Sequence, residues 1–314
     1  MPDFFIVGHH KSGTTALYEM LRRHPQIYMP DLKEPRFLAS DMRARFRQLR
    51  EPVHPETLDD YLALFTAATP EQRIGEASAT YLWSRTAAGR IAEVQPAARI
   101  VAILREPASF LRSLHLTFLQ GRVETKRDLR KAISLEAARR KGKRIPRRSH
   151  LPQLLLYSEH VRYVDQLRRY HALFPREQVL VLIYDDFRRD NEATVRTVLR
   201  FLEVDDERSL DTLQANVTTR TVRSQQLGDL VYSVSLGRGR VSRSAKATVK
   251  ALTTRQLRHG AIGAVRRRFV VADVPPPDES FMMELRRRFK PEVVALSEYL
   301  DRDLVTLWGY RDVD

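Results

Sequence analysis

Short, unbroken apolar runs punctuate this chain, each bounded by polar residues. Phe4–Val7, Ile100–Leu104 and Val179–Ile183 are the clearest, and Ile74–Glu76 reads as a shorter strand. Continuous apolar runs of this length suit strands covered on both faces, as in a parallel sheet. Between them the period changes to that of a helix. Thr15–Arg23 places Leu17, Met20 and Leu21 on one face and stops before His24-Pro25, where proline disfavours helix in the preceding residue. Ser109–Gln120 groups Phe110, Leu111, Leu114 and Phe118 on one face. Ser158–Phe174 and Glu192–Leu202 read as further amphipathic helices, the second capped by Asp190 or Asn191. Strands alternating with helices predict an α/β fold, a parallel β-sheet flanked by helices, in one domain over residues 1–314. Ligands of such folds bind beyond the carboxyl ends of the strands.

Composition narrows the chemistry. The chain has no cysteine, which excludes disulfides, thiolate metal sites and a cysteine nucleophile. No apolar run approaches a membrane span, and no signal peptide stands at the N-terminus, so a cytoplasmic protein is expected, with peripheral membrane contact left open. The net charge of +15 calls for an anionic partner or serves simple solubility. No zinc-finger or RNP-type signature accompanies it, so nucleic acid is not the expected partner. Two basic stretches, near residues 122–150 and 237–268, read as insertions that are either solvated surface or an acceptor or partner site.

The first strand runs into Gly8-His9-His10-Lys11-Ser12-Gly13-Thr14-Thr15 and then into helix. A glycine-bounded loop at a helix N-terminus aims backbone N–H groups at a phosphate and adds a favourable dipole. Lys11 supplies a full charge, and Thr14 and Thr15 supply hydroxyls. The spacing is not that of an ATP-binding P-loop, where lysine follows the second glycine; here Lys11 precedes Gly13. The strand Ile100–Leu104 ends in Arg105, whereas a kinase would place an acidic magnesium ligand near a strand end. Asp185 and Asp186 do follow a strand, so a P-loop kinase or NTPase stays open as an alternative, as does a basic nucleic-acid- or lipid-binding protein.

These segments resemble the sulfotransferases that use 3′-phosphoadenosine 5′-phosphosulfate, in their bacterial and carbohydrate-type branch. FIVGHHKSGTTALYEML resembles that family's 5′-phosphosulfate loop, which implies a P-loop-like nucleotide-binding core with Lys11, Ser12, Gly13, Thr14 and Thr15 on the donor. REPASFLRS, from Arg105 to Ser113, resembles its 3′-phosphate motif, implying that Arg105 and Ser113 grip that phosphate. LVLIYDDF and the following helix are similar to the segment whose tyrosine, here Tyr184, contacts adenine. NVTTRTVRS resembles a late loop that gives Arg223 a 3′-phosphate role, with Arg220 as its competitor. Lys33-Glu34-Pro35-Arg36-Phe37-Leu38 resembles the K-E-P-x-F-F stretch of carbohydrate-type members, where the glutamate is the base. GEASATYL resembles G-E-x-[ST]-P-x-Y-L, with Ala77 standing where heparan-sulfate-modifying members carry lysine and Glu76 as a second acid in the cleft.

The resemblance implies in-line, metal-independent transfer of a sulfuryl group to a hydroxyl of a small molecule or carbohydrate, releasing adenosine 3′,5′-bisphosphate. A hydroxyl attacking sulfur needs a general base, and the departing phosphate oxygen needs a fixed cation. Glu34 is the candidate for the first task and Lys11 for the second. His115, near Ser113, is the rival base, although its spacing from Leu111 and Phe118 equally suits a core histidine.

Overall fold

In a computed structural model, the described residues are 1–42, 54–146, 149, 151–207, 220–222, 271–273 and 276–313. The apolar runs pair as one five-stranded parallel sheet. In chain order its strands are β1 (Phe4–Gly8), β2 (Ile27–Tyr28), β3 (Arg73–Ala77), β4 (Arg99–Leu104) and β5 (Val179–Ile183), arranged β2-β3-β1-β4-β5. β1 is buried along its whole length, with Phe4↔Gly75 on one side and Phe4↔Arg99 on the other. The chain leaves β1 toward β3 on one side and β4 on the other, so the crevice at the carboxyl end of β1 is the expected ligand position.

Helices cover both faces. After β1 comes α1 (Thr14–Arg22); α2 (Leu58–Ala63) and α3 (Ala87–Val94) lie before β4. α4 (Pro107–Gln120), α5 (Leu129–Ser134), α6 (Glu136–Arg140), α7 (Tyr157–His160) and α8 (Tyr163–His171) lie between β4 and β5. α9 (Tyr184–Arg189) and α10 (Asn191–Phe201) follow β5, and α11 (Glu279–Tyr299) and α12 (Leu304–Leu307) close the described chain. A short antiparallel pair, Arg220–Val222 with Val271–Asp273, stands apart from the main sheet. Phe5, Val7, Ile100 and Ala102 join one apolar cluster, and Phe4, Ile6, Val101 and Ile103 join the other. Alternate side chains of each strand point to opposite faces, so these unbroken runs feed two cores.

Several expectations shift. The helix read as Ser158–Phe174 is two, interrupted at Val161-Arg162. The Gln166 amide donates to the carbonyls of Glu159 and His160, which a continuous helix would have used internally. The stretch near 122–150 is more than solvated surface: it contains α5 and α6, and Glu124 and Arg139 form a fully buried ion pair at 2.7 Å. The stretch 237–268 lies outside the described residues, as does Arg223. No helix among the described residues is long and apolar enough to cross a membrane.

Candidate functional site

The loop between β1 and α1 is built for close backbone approach. Gly13 has φ 90°, and a Cβ there would lie 2.8 Å from Phe187 Cδ1. A Cβ on Gly8 would lie 2.6 Å from Leu82 Cβ, so this position also tolerates no side chain. Gly13 caps α1 without any side-chain hydrogen bond, which leaves the first N–H groups of that helix to a ligand. Thr14 is buried at the first helical position and Thr15 is exposed beside it. Ser12 is buried, its hydroxyl donating over 3.4 Å to the carbonyl of His10.

Two cations meet at this loop. Arg105, at the end of β4, donates from Nη1 to the Lys11 carbonyl at 2.9 Å and from Nε to Ser109 Oγ at 3.0 Å. Its guanidinium lies over the Tyr184 ring, 4.9 Å from the centroid, and that ring packs against Gly13. Burial first, and then the charge of Arg105, depress the Lys11 ammonium below its ordinary pKa. Neither Lys11 nor Arg105 has an ion-pair partner among the described residues, so the loop concentrates positive charge for an anion. Arg112, one turn along α4, is depressed by burial and then by Arg105. α4 itself starts at Pro107, with the Glu106 carboxylate accepting from the N–H groups of Ala108 and Ser109. This cap fixes where Ser109 and Ser113 stand; Ser113 is buried four residues beyond Ser109 on the same helix.

Glu34 lies on the neighbouring loop in left-handed backbone conformation, φ 62°, and Arg36 shares it at φ 56°. The loop is pinned to the end of β3 and the segment after it. Glu34 N–H donates to Ala77 O at 2.9 Å, Arg36 N–H to Ser78 Oγ at 3.0 Å, and Leu38 N–H to Tyr81 Oη at 3.1 Å. The Glu34 carboxylate accepts from Arg36 Nε (2.9 Å) and Nη2 (2.6 Å) and from Lys33 Nζ (3.3 Å), with His10 Nδ1 at 3.8 Å. Burial would raise its pKa, but His10, Arg36 and Lys33 together outweigh burial and hold it below the ordinary carboxylate range.

Behind this loop sits Glu76, fully buried in β3. Its Oε2 accepts from the Tyr61 and Tyr81 hydroxyls, both at 2.8 Å, and Phe37 stacks on Tyr61 at 4.7 Å. Tyr81 thus joins Glu76 to the backbone of the Glu34 loop. Burial pushes the Glu76 carboxyl up to about 7, against the Ser78, Tyr81 and Tyr61 hydroxyls and with help from Glu34.

The structure brings Lys11, Ser12, Gly13, Thr14, Arg105 and Tyr184 together, with Glu34 joined to the same loop through His10. His115 sits otherwise. It is 3% exposed, with Nδ1 2.9 Å from the Tyr157 hydroxyl and Nε2 2.9 Å from the Arg127 carbonyl. Both ring nitrogens are engaged within the protein, so its geometry is that of the core histidine its spacing allowed. Asp185 and Asp186 are likewise tied down: Trp308 Nε1 donates to Asp185 at 3.0 Å, and Arg302 pairs with Asp186 at 2.5 Å. Among the described residues no cluster of three or more His, Asp or Glu is arranged to hold a metal.

Ser109 and Gln166 are parts of this site that the sequence does not announce, whereas Arg36 flanks Glu34 in the K-E-P stretch. Ser109 orients Arg105, Arg36 clamps Glu34, and Gln166 Oε1 lies 2.6 Å from His9 Nε2 at the back of the loop. Ser109 and Gln166 carry no local signal, since each acts through a partner distant in sequence or through the fold.

A family model described as "Sulfotransferase family" matches residues 2–208, which contain every described residue of this site. Carbohydrate sulfotransferase 15 of Mus musculus is 32% identical over 156 aligned residues, covering 38% of this chain and 27% of that protein. The bifunctional heparan sulfate N-deacetylase/N-sulfotransferase 2 of Bos taurus is 25% identical over 219, covering 65% of this chain and 22% of that protein. The chain therefore spans about a quarter of the length of these curated relatives. A solved sulfotransferase from Alicyclobacillus acidocaldarius superposes with a TM-score of 0.67 at 25% identity, covering 98% of this chain and 99% of that one. The glycine-bounded loop, its two cations and the K-E-P loop all lie within the matched stretch, and the chain belongs to the sulfotransferase family.

Proposed function

We propose that this protein transfers a sulfuryl group from 3′-phosphoadenosine 5′-phosphosulfate to a hydroxyl of a small molecule or carbohydrate, in line and without a metal. The observation that carries the reading is the convergence of Lys11 and Arg105 on a glycine-bounded loop, next to an ionised carboxylate on the Glu34 loop. Family membership supports the transfer; the site geometry supports the donor. The residues fit a doubly anionic nucleotide, because the loop offers an uncapped helix N-terminus and two cations without carboxylate partners among the described residues.

In this reading the acceptor oxygen forms a bond to sulfur while the bond from sulfur to the bridging phosphate oxygen breaks. Glu34 takes the hydroxyl proton, and Lys11 offsets the charge gathering on the departing oxygen. Arg105 and Ser113, with Arg223 outside the described residues, hold the 3′-phosphate, and Tyr184 flanks the base. Since Glu34 is held ionised by its cations, it is ready as an acceptor of protons at neutral pH. The same cations make it a weak base, which suits a proton that leaves late, when the hydroxyl has become acidic through bonding to sulfur.

Kinetics and calorimetry of three variants test the assignment. Glu34→Gln is expected to lower kcat by on the order of 100-fold or more and to leave affinity for adenosine 3′,5′-bisphosphate nearly unchanged. Lys11→Ala and Arg105→Ala are expected to weaken that affinity strongly. Equal loss of nucleotide affinity in all three would remove Glu34 from the role of base.

A further inference from the structure

A cleft of about 520 Å³ is lined by Trp83, Arg85, Gln166 and Arg169 among others, and the chemistry assigned so far does not use it. One of its lining residues reaches the loop. Gln166 holds His9, and its amide also engages the carbonyls of Glu159 and His160. The His160 ring stacks on Trp83 at 4.9 Å and 12°, so the indole is held from one side and can present a flat face to a ligand. His10 is close enough to act electrostatically on both His160 and Glu34. Gln166 thus ties the cleft to His9, and His10 beside it lies 3.8 Å from the carboxylate of the proposed base.

Its charges do not cancel. Arg140 pairs with Glu159 at 2.7 Å and Arg162 with Asp165 at 2.5 Å, which accounts for two of the three lining carboxylates. The third, Asp41, caps a turn, accepting from the Ser84 and Thr86 hydroxyls and the Arg85 N–H. Arg85 and Arg169 remain against the single charge of Asp41, a net of one positive charge, and the guanidinium of Arg85 has no ion-pair partner among the described residues. Arg169 donates from Nη2 to the Leu82 carbonyl at 2.9 Å, while its Nε is buried without any hydrogen-bond partner. Two guanidiniums beside one aromatic face make a site for a carboxylate attached to a ring.

We propose that this cleft is the acceptor subsite and that it selects a hydroxylated ring compound bearing a carboxylate, the ring face on Trp83 and the carboxylate on Arg169 and Arg85. The proposal rests on the sulfotransferase reading above and specifies which acceptors it takes. Selection works by difference: a neutral analogue of the same ring brings no charge to the two guanidiniums, so it binds less well.

The test uses a matched pair, p-nitrophenyl β-D-glucuronide and p-nitrophenyl β-D-glucoside, which differ at one carbon, a carboxylate in the first and a hydroxymethyl in the second. Binding is followed by ligand-observed NMR on the full chain saturated with adenosine 3′,5′-bisphosphate. The glucuronide should bind at least tenfold more tightly. Arg169→Met and Arg85→Met should each cut that preference severalfold, Trp83→Ala should weaken both glycosides alike, and none should change bisphosphate affinity more than about twofold. Arg85 is exposed, so its variant decides the matter if Arg169→Met does not fold. Equal binding of the two glycosides, no binding of either, or a preference that survives both arginine variants would overturn the proposal. Failure to bind the bisphosphate at all would instead overturn the sulfotransferase reading beneath it.

Discussion

Replacing Glu76 by Gln isolates one buried carboxyl group and gives a pH-dependent signal of calculable size. The amide keeps the shape and an acceptor oxygen for Tyr61 and Tyr81, whose hydroxyls donate to Glu76 Oε2. What it removes is the titration. Burial pushes Glu76 from 4.5 to about 7, so between those pH values the folded chain holds a proton that the unfolded chain has released. Stability from this group is fully present below pH 4.5 and is lost as pH rises to 7. A gap of about 2.5 pH units at roughly 1.36 kcal/mol each is about 3 kcal/mol. His9 and His160 act in the opposite sense. Burial lowers them to about 3 and about 4, so their contribution grows as pH rises toward 6.5. Wild-type stability alone therefore mixes opposing slopes, whereas the difference between wild type and Glu76→Gln cancels the histidines. Urea unfolding at pH 4.5, 5.5, 6.5 and 7.5 measures that difference. The variant should gain about 3 kcal/mol relative to wild type across the series, most of it between pH 4.5 and 7. Parallel curves for the two proteins would refute the account of Glu76 as a carboxyl kept protonated by its surroundings.

Three further outcomes are expected. Gly13→Ala should abolish bisphosphate binding and destabilise the fold by roughly 1–3 kcal/mol, since φ 90° and the 2.8 Å approach to Phe187 leave no room for a methyl group; calorimetry and urea unfolding read the two effects. Glu124→Ala or Arg139→Met alone should cost about 3–5 kcal/mol because each strands a buried charge, while an apolar double replacement should recover much of that loss in the same unfolding assay. Because Glu34 lies below the ordinary carboxylate range, kcat should show no acidic limb from this group above pH 5, and a limb that appears there and is lost in Glu34→Gln would contradict its ion pairing.

The sheet was legible because buried parallel strands must be continuously apolar. Phe4–Val7, Ile100–Leu104 and Val179–Ile183 each lie within one residue of the observed strands. Ile27–Tyr28 escaped notice because two residues at a sheet edge carry no period. The break at Val161-Arg162 has no proline or glycine to announce it; it comes from Gln166, whose amide competes for helix carbonyls. Tertiary partners also decided His115, since the spacing that puts it on the Leu111–Phe118 face says nothing of Tyr157 or the Arg127 carbonyl. The burial of Arg139 was hidden for the same reason: a basic segment reads as solvated until its carboxylate, Glu124, is known to lie opposite. At the site, Lys11, Arg105 and Glu34 could be named from short motifs because loop chemistry is local. Ser109, Gln166 and the tyrosines around Glu76 could not, because each acts through a partner supplied by the fold.

The central claim is that the loop after β1 and the arginine after β4 form two halves of a clamp for a nucleotide phosphorylated at both ends of its ribose. Titration calorimetry in a metal chelator, comparing adenosine 3′,5′-bisphosphate with adenosine 5′-monophosphate, tests it most directly. The account predicts that the bisphosphate binds at least tenfold more tightly, and that Arg105→Ala removes most of that advantage. Equal affinity for the two nucleotides, or binding of ATP that depends on magnesium and exceeds that of the bisphosphate, would contradict it.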